Sequence, residues 1–516
     1  MSSAEVSLSG GFESGNPECP DFVFENNSIE QLPPEILSEI FVQCLQVTYT
    51  DLDVRFGRSN GDYFFLTPHV HEPPLLLAEI CHTWRSIALT TPRLWNSIAL
   101  RCSYRLMPRN VRLCETWLKR TANVPLDLWL YRPPGFRASP AKLYQKLFRC
   151  IAPYSNRWRW LDLGDFAASF YKELSSLVPG SMNQLEYLSV SHHPAPSSAV
   201  SNPWTAFRDT PKLHHLSFDT ILKLEIPVTG NVPGFPWSQL TYIDVGDMVL
   251  SDCLHILREA SLATTCSFLL RVDLSKPVQL TPFTLPHLKT FKIKSPLDVQ
   301  TVWSTITCPA LTTLWVTLAE ADVPDSQGFL PFIARCGGLI ENLAVRWARL
   351  TDDDLITCLR QTPRLRHLDI FDDGMNTFSD RTCEALTLGL NSEDLVPHLE
   401  SFQILGGKES TDEWLVCMLE SRIALRESSD AETHPRVLRQ LHLCMEREVG
   451  KITRKQIRRF QKRGVTLKLE YEPEDRWPMA ACYYSDSEWD SEEDGCDDDG
   501  ECDDGDDENM SRPDSQ

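Results

Sequence analysis

Pro211-Lys-Leu-His-His-Leu-Ser-Phe218 is the stretch on which the architecture turns. Leu213, Leu216 and Phe218 are spaced apolar, two residues, apolar, one residue, apolar. In a strand, Leu216 and Phe218 point to one face and Ser217 to the other. The phrase recurs at Trp158/Leu161/Leu163, Leu185/Leu188/Val190, Leu240/Ile243/Val245, Leu269/Val272/Leu274, Leu288/Phe291/Ile293 and Leu311/Leu314/Val316. It continues at Ile340/Leu343/Val345, Leu365/Leu368/Ile370, Leu399/Phe402/Ile404 and Leu438/Leu441/Leu443. Pro211, Pro286, Pro309, Pro363 and Pro397 stand two residues ahead of the first apolar position, where a proline ends the preceding helix. Most instances lie 23 to 29 residues apart, and two late intervals lengthen to 34 and 39. Leu250 to Leu262 and Asp352 to Gln361 have helical periodicity between phrases. The expectation is an α/β solenoid over 99–470, one strand and one helix per unit, in which stacking buries what no unit buries alone.

The flanks extend the reading. Asn96 to Leu100 and Pro125 to Leu130 read as strands, and Arg109 to Arg120 as a helix. At the far end, Gln456 to Arg463, Gly464 and Val465 to Leu469 read as helix, glycine cap and closing strand. Upstream lies Leu32-Pro-Pro-Glu-Ile-Leu-Ser-Glu-Ile-Phe41. Its prolines suit a helix start, where missing N–H groups cost nothing, and Glu35 suits the positive end of the dipole. Ile36, Leu37, Ile40, Phe41 and Leu45 form one apolar face. A second helix is expected over 75–89, with Leu76, Ile80, Cys81, Trp84, Ile87 and Ala88 on its face. A short third turn, Thr91-Pro-Arg-Leu-Trp95, follows with Thr91 as N-cap. An aromatic insert, 46–73, separates the two helices and reads as a partly ordered loop; 1–28 and 471–516 read as disordered.

Composition narrows the function. The chain has 516 residues, 42% hydrophobic and 14 of them Trp, enough for a large core. Its net charge of -22 is concentrated in Ser485 to Gln516, where 16 acidic residues face one Arg. That leaves about -7 for the rest, an ordinary balance that argues against a nucleic-acid partner. The 17 Cys are scattered, with no Cys-x-x-Cys, and read as core thiols of a reducing compartment, cytoplasmic or nuclear. The N-terminus lacks a signal-peptide pattern, and no apolar run nears the roughly 18 residues of a membrane span. Nothing matches a nucleophile elbow, a phosphate-cradling glycine loop or a His-Glu-x-x-His motif, so neither an enzyme nor a cofactor is expected. The pairs His69/His71, His192/His193 and His214/His215 lack further ligands in sequence and read as surface residues.

Two resemblances follow. Leu32, Pro33, Ile36, Leu37, Ile40, Cys81, Trp84, Leu94 and Trp95 carry the pattern of an F-box spanning 29–98. The repeated phrase resembles leucine-rich repeats, although His193, Ile221, Met248, Ala319 and Asp373 replace the usual Asn or Cys, so an irregular solenoid is expected. Together the order resembles F-box proteins with C-terminal leucine-rich repeats, abundant in mushroom-forming fungi. The resemblance implies a substrate receptor of an SCF-type cullin-RING ubiquitin ligase. The F-box would dock a Skp-type adaptor, and through it a cullin, by way of Leu32, Pro33, Pro34, Ile36, Leu37, Ile40, Ile80, Cys81 and Leu94. Trp84 and Trp95 would form its core, and the repeats would bind a target protein. The alternative is an interaction scaffold outside any ligase.

On the repeat surface, the residues between or beside the inward apolar pairs are the target-binding candidates: Asp162, Tyr187, Ser217, Asp244, Lys292, Trp315, Arg346, Asp369 and His442. Lys451 to Arg463 is strongly basic and reads as the solvated face of a capping helix. Ser485, Ser487 and Ser491 each precede an acidic residue by three positions and suit an acidophilic kinase.

Overall fold

The computed structural model describes residues 29, 32–45, 69–102, 106–131, 141–164, 173–174, 176–191, 206–219, 235–271, 281–296, 299–318, 326–346, 350–371, 377–390, 394–406, 410–423, 438–445 and 449–471. The expectations for 1–28, for most of the insert and for the acidic tail with Ser485, Ser487 and Ser491 lie outside these residues.

Among the described residues, fourteen strands form one parallel sheet in which every strand pairs with its neighbours in the chain, apart from two short strands set aside below. They are β1 (Ser97–Arg101), β2 (Leu126–Tyr131), β3 (Trp158–Gly164), β4 (Tyr187–Ser191), β5 (His215–Asp219), β6 (Tyr242–Met248) and β7 (Thr265–Leu270). After β8 (Phe283–Thr284) come β9 (Thr290–Ser295), β10 (Ile306–Thr307), β11 (Thr313–Leu318), β12 (Asn342–Arg346) and β13 (His367–Phe371). The series closes with β14 (Ser401–Gly406), β15 (Gln440–Met445) and β16 (Thr466–Tyr471). Strands β8 and β10 pair with each other in a separate two-stranded sheet. This is a mixed α/β, leucine-rich-repeat-like solenoid.

Parallel in-register pairing stacks equivalent residues into columns. Leu216 pairs with Leu188 and Ile243, and Leu368 with Leu343 and Phe402. These inward residues are buried and belong to one continuous core. From β4 to β14 of the main sheet, the carbonyl just before each strand accepts two N–H groups from the next unit: Lys289 O from Thr312 and Thr313, Glu341 O from Arg366 and His367.

One phrase sits elsewhere. The inward residues of β7 are Cys266, Phe268 and Leu270, preceded by buried Ala263, whereas Leu269 is on the outer side and Val272 and Leu274 lie outside the described residues. Small Ala and Cys occupy the inward column there, so a reading keyed to Leu slid six residues along. The corrected spacing, 23 and 25 residues to Leu240 and Leu288, replaces an outlying interval of 19.

The missing Asn or Cys column has a counterpart in long polar side chains that reach back to the preceding unit. Arg157 Nε donates to Val124 O at 3.0 Å, Gln239 to Thr210 and Leu213 carbonyls, and Arg335 to Trp303 O at 2.6 Å. The fully buried Arg422 donates to Leu386, Val396 and Leu395 carbonyls at 2.8, 3.0 and 2.8 Å. Burial pulls its pKa down to about 10, still high enough to keep it charged near neutrality. Met248, at one expected ladder position, is a buried core residue; His193, Ile221, Ala319 and Asp373 lie outside the described residues.

Helices form the other layer, among them Met107–Arg120, Leu250–Glu259, Asp352–Arg360 and Asp412–Ile423. Asp352–Arg360 starts with a capping box between Thr351 and Asp354. The solenoid closes with the terminal helix Lys451–Gln461, longer than its expected range. Gly464, at φ +87, lets Val465 N–H reach Phe460 O and turns the chain into β16. The described cysteines include Cys253, Cys266 and Cys358, whose thiols burial pushes up in pKa, as expected of core residues.

Candidate functional site

Two surfaces collect the candidates: the N-terminal helices and the outer side of the sheet. The first helix, Pro34–Cys44, starts at the two prolines as its sequence requires and buries Leu37 and Phe41. The second helix is broken. Leu77–Ile80 and His82–Thr90 are separate, and Cys81 lies between them in extended conformation, φ -152 and ψ 172. Cys81 Sγ accepts the Trp84 N–H, and Arg85 Nε donates to Ala78 O at 2.7 Å, so side chains bind both helix ends at the break. Thr91 does not cap the next turn; its hydroxyl donates back to Ile87 O at 2.7 Å.

This break separates the apolar residues into two groups. Leu32, Ile36, Leu76 and Ile80 are exposed, with Ile36 at 50% and Ile80 at 53%, and each pair is four residues apart. Ile29 and Val70 are exposed beside them in sequence. Pro33 and Pro34 are also exposed, while Ile40 and Cys81 are half-buried. Leu37 and Leu94 are fully buried, which removes them from any docking face and puts them in the core. Six of the eleven exposed large apolar residues among the described residues thus fall within 29–80, an enrichment of the kind that marks an interaction surface.

The aromatic pair holds the segment together. Trp84 is half-buried, 4.7 Å from Phe41 between ring centroids. Trp95 is fully buried; its Nε1 donates to Ala88 O at 2.8 Å, its ring meets Trp117 edge-on at 4.7 Å, and Arg120 lies 4.3 Å above it. Trp117 in turn donates to Ser97 O of β1. The N-terminal helices and the first repeat therefore share a core.

On the sheet, a second feature emerges from stacking. Trp160, Tyr187, His215 and Tyr242 occupy the same outward position on β3, β4, β5 and β6. Their rings stack at centroid distances of 3.2, 4.0 and 3.9 Å. Tyr187, expected as an exposed contact, is thus only 8% exposed, and Asp162 on the adjoining column is 1% exposed. Trp160, His215 and Tyr242 escape notice one phrase at a time. Aligned, the four phrases carry an aromatic or His residue immediately before the second apolar position.

Toward the C-terminal end the candidates come in cross-strand pairs. Lys292 Nζ lies 4.2 Å over the Trp315 ring. Arg346 bonds Asp369 at 2.7 Å, both side chains 18% exposed. His442 Nε2 is 3.1 Å from Glu470. Burial pushes the Glu470 carboxyl up, but hydrogen bonds from His442 and Lys468 outweigh this and hold it below the ordinary range. Asp244 and Ser217 are half-buried on the same column.

His71 N–H bonds His69 Nδ1, and no group of three or more potential metal ligands occurs among the described residues. None of the described helices is long and apolar enough to cross a membrane.

No protein-family model matches the sequence, and no curated protein matches it. Among solved structures, the chain is similar to one described as the Rad7 and Elc1 complex in yeast, at 11% identity and a TM-score of 0.36. That alignment covers 84% of this chain and 92% of the other. Likeness at that level is remote.

Proposed function

We propose that this chain is a non-catalytic substrate receptor of an SCF-type cullin-RING ubiquitin ligase. Its N-terminal helices act as an F-box that docks a Skp-type adaptor, which links it to a cullin. The outer side of the sheet receives a target protein. The observation that carries this reading is that Leu32, Ile36, Leu76 and Ile80 are exposed on a segment in which Leu37, Phe41, Leu77, Ile87, Leu94 and Trp95 are buried. Leu32, Ile36 and Ile80 are among the adaptor-docking residues that the F-box resemblance implies, while Leu37, Trp84, Leu94 and Trp95 hold the segment in place. Fusing the module to the first repeat through Trp95 and Trp117 would hold a bound target at a set orientation to the ligase.

The test is calorimetric titration of a Skp-type adaptor into the purified full chain. Specific binding is expected, weakened at least tenfold by Leu32→Ala with Pro33→Ala, and by Ile36→Asp, with the circular dichroism spectrum unchanged. Affinity that survives these changes counts against the reading.

A further inference from the structure

The terminal helix Lys451–Gln461 buries Thr453, Ile457 and Phe460 against the solenoid. Its other side and C-terminal extension expose Lys451, Lys455, Arg458, Arg459 and Lys462. Among the described residues none of these five cations has a carboxylate partner, in contrast to Arg346, Arg366 and Arg381, which all do. Lys451 and Lys455, Lys455 and Arg459, and Arg458 and Lys462 stand four residues apart, so like charges repel along the helix. A polyanion laid on this face would relieve that repulsion.

We propose that the occupant is the acidic tail of this same chain, Ser485 to Gln516. Its charge is opposite and in excess, 16 acidic residues against one Arg. Its origin is close, because β16 ends at Tyr471 next to the terminal helix in the chain. The 13 residues between Tyr471 and Ser485 span up to about 45 Å when extended, whereas an eleven-residue helix is about 16 Å long. The tail therefore reaches the whole helix, at the high effective concentration that tethering confers. A second basic surface, the depression lined by Arg109, Arg112 and Arg120 beside Leu75 and Trp117, belongs to the first unit at the opposite end of the sheet. An external nucleic acid has to displace a tethered segment of net charge about -15 that is already held at high effective concentration. Ser485, Ser487 and Ser491 lie at the tail's near edge, and each phosphate there adds roughly -1.5 to -2 charge, tightening the contact.

Carbodiimide cross-linking of the full chain, read by mass spectrometry, tests the contact directly because it joins only touching amines and carboxylates. Amide links from Lys451, Lys455 or Lys462 to tail carboxylates are expected in the monomer, lost near 1 M salt, where the screening length falls to about 3 Å. Tail carboxylates linked instead to other lysines, such as Lys119 beside the Arg109–Arg120 depression, overturn the proposal. So do links found only in dimers, or none at all. Heparin binding is the second measurement. A chain ending at Tyr484 is expected to bind heparin at least tenfold more tightly than the full chain. Combining that truncation with Lys455→Gln, Arg458→Gln, Arg459→Gln and Lys462→Gln is expected to abolish most of the gain. A gain that survives the four substitutions means that the tail shields another surface, and the proposal fails.

Discussion

The two ends of the solenoid solve the same problem with opposite chemistry. Each stack of repeats must stop, and each terminal unit has a face with no further repeat to cover it. At the N-terminal end, short helices pack on the first repeat and themselves expose Leu32, Ile36, Leu76 and Ile80. At the C-terminal end, one amphipathic helix buries Ile457 and Phe460 and presents mostly cations, with Ile452 as its one exposed large apolar residue. A charged cap ends a stack without inviting apolar contact. An apolar cap does not, and so it reads as a surface built to be covered. The sheet between them differs along its length in the same sense, with stacked rings on β3 to β6 and charged cross-strand pairs from β9 onward.

Breaking the N-terminal junction should have the largest effect. Trp95→Ala removes a fully buried ring together with its bond to Ala88 and is expected to cost about 3–5 kcal/mol. Urea denaturation should then show the N-terminal helices losing protection before the repeats, and a single unshifted transition would contradict the shared core. Toward the other end, Arg422→Met leaves the Leu386, Val396 and Leu395 carbonyls without their donor, a loss of about 3 kcal/mol. The same denaturation midpoint measures it, and a shift under about 1 kcal/mol would mean that water replaces the guanidinium. A sharper contrast comes from neighbours on one helix. Leu37→Ala should destabilise by about 2 kcal/mol, whereas Ile36→Ala, half exposed, should stay within about 0.5 kcal/mol. Equal losses would erase the distinction between core and docking residues.

The smallest effect concerns pH. Glu470 is held below the carboxylate range, so its pairing with His442 and Lys468 stabilises the fold above its unfolded pKa of about 4.3. That contribution fades as pH falls through the lower folded value. The group is partly exposed, so solvent screening limits the effect to a few tenths of a kcal/mol. Glu470→Gln should flatten the thermal midpoint between about pH 5 and 3, and an unchanged slope would show that the pair contributes nothing.

Much of this was readable from the residues. Ten of the eleven apolar phrases align with the strands where they were expected, because the inward column must be apolar and the alternation is local. The exception at β7 shows the limit. Ala263 and Cys266 fill inward places that a search for leucines passes over. The helix break at Cys81 was also hidden, since its apolar spacing suits one continuous helix. What divides it is a set of side-chain bonds, Cys81 to Trp84 and Arg85 to Ala78, that compete with the backbone.

The sequence by itself determined the repeat, the mixed α/β solenoid, the apolar faces of the N-terminal helices and the segregation of charge into the tail. Periodicity and composition are properties of neighbours along the chain, and they survive without coordinates. Only the tertiary structure decided which apolar residues are buried and which are left exposed, so that Leu37 and Leu94 became core while Ile36 and Ile80 did not. It alone brought Trp160, Tyr187, His215 and Tyr242 into one stack and gave Arg346 and His442 their partners. These contacts join residues more than twenty positions apart, and parallel register, which places each unit beside the next, is what brings them together.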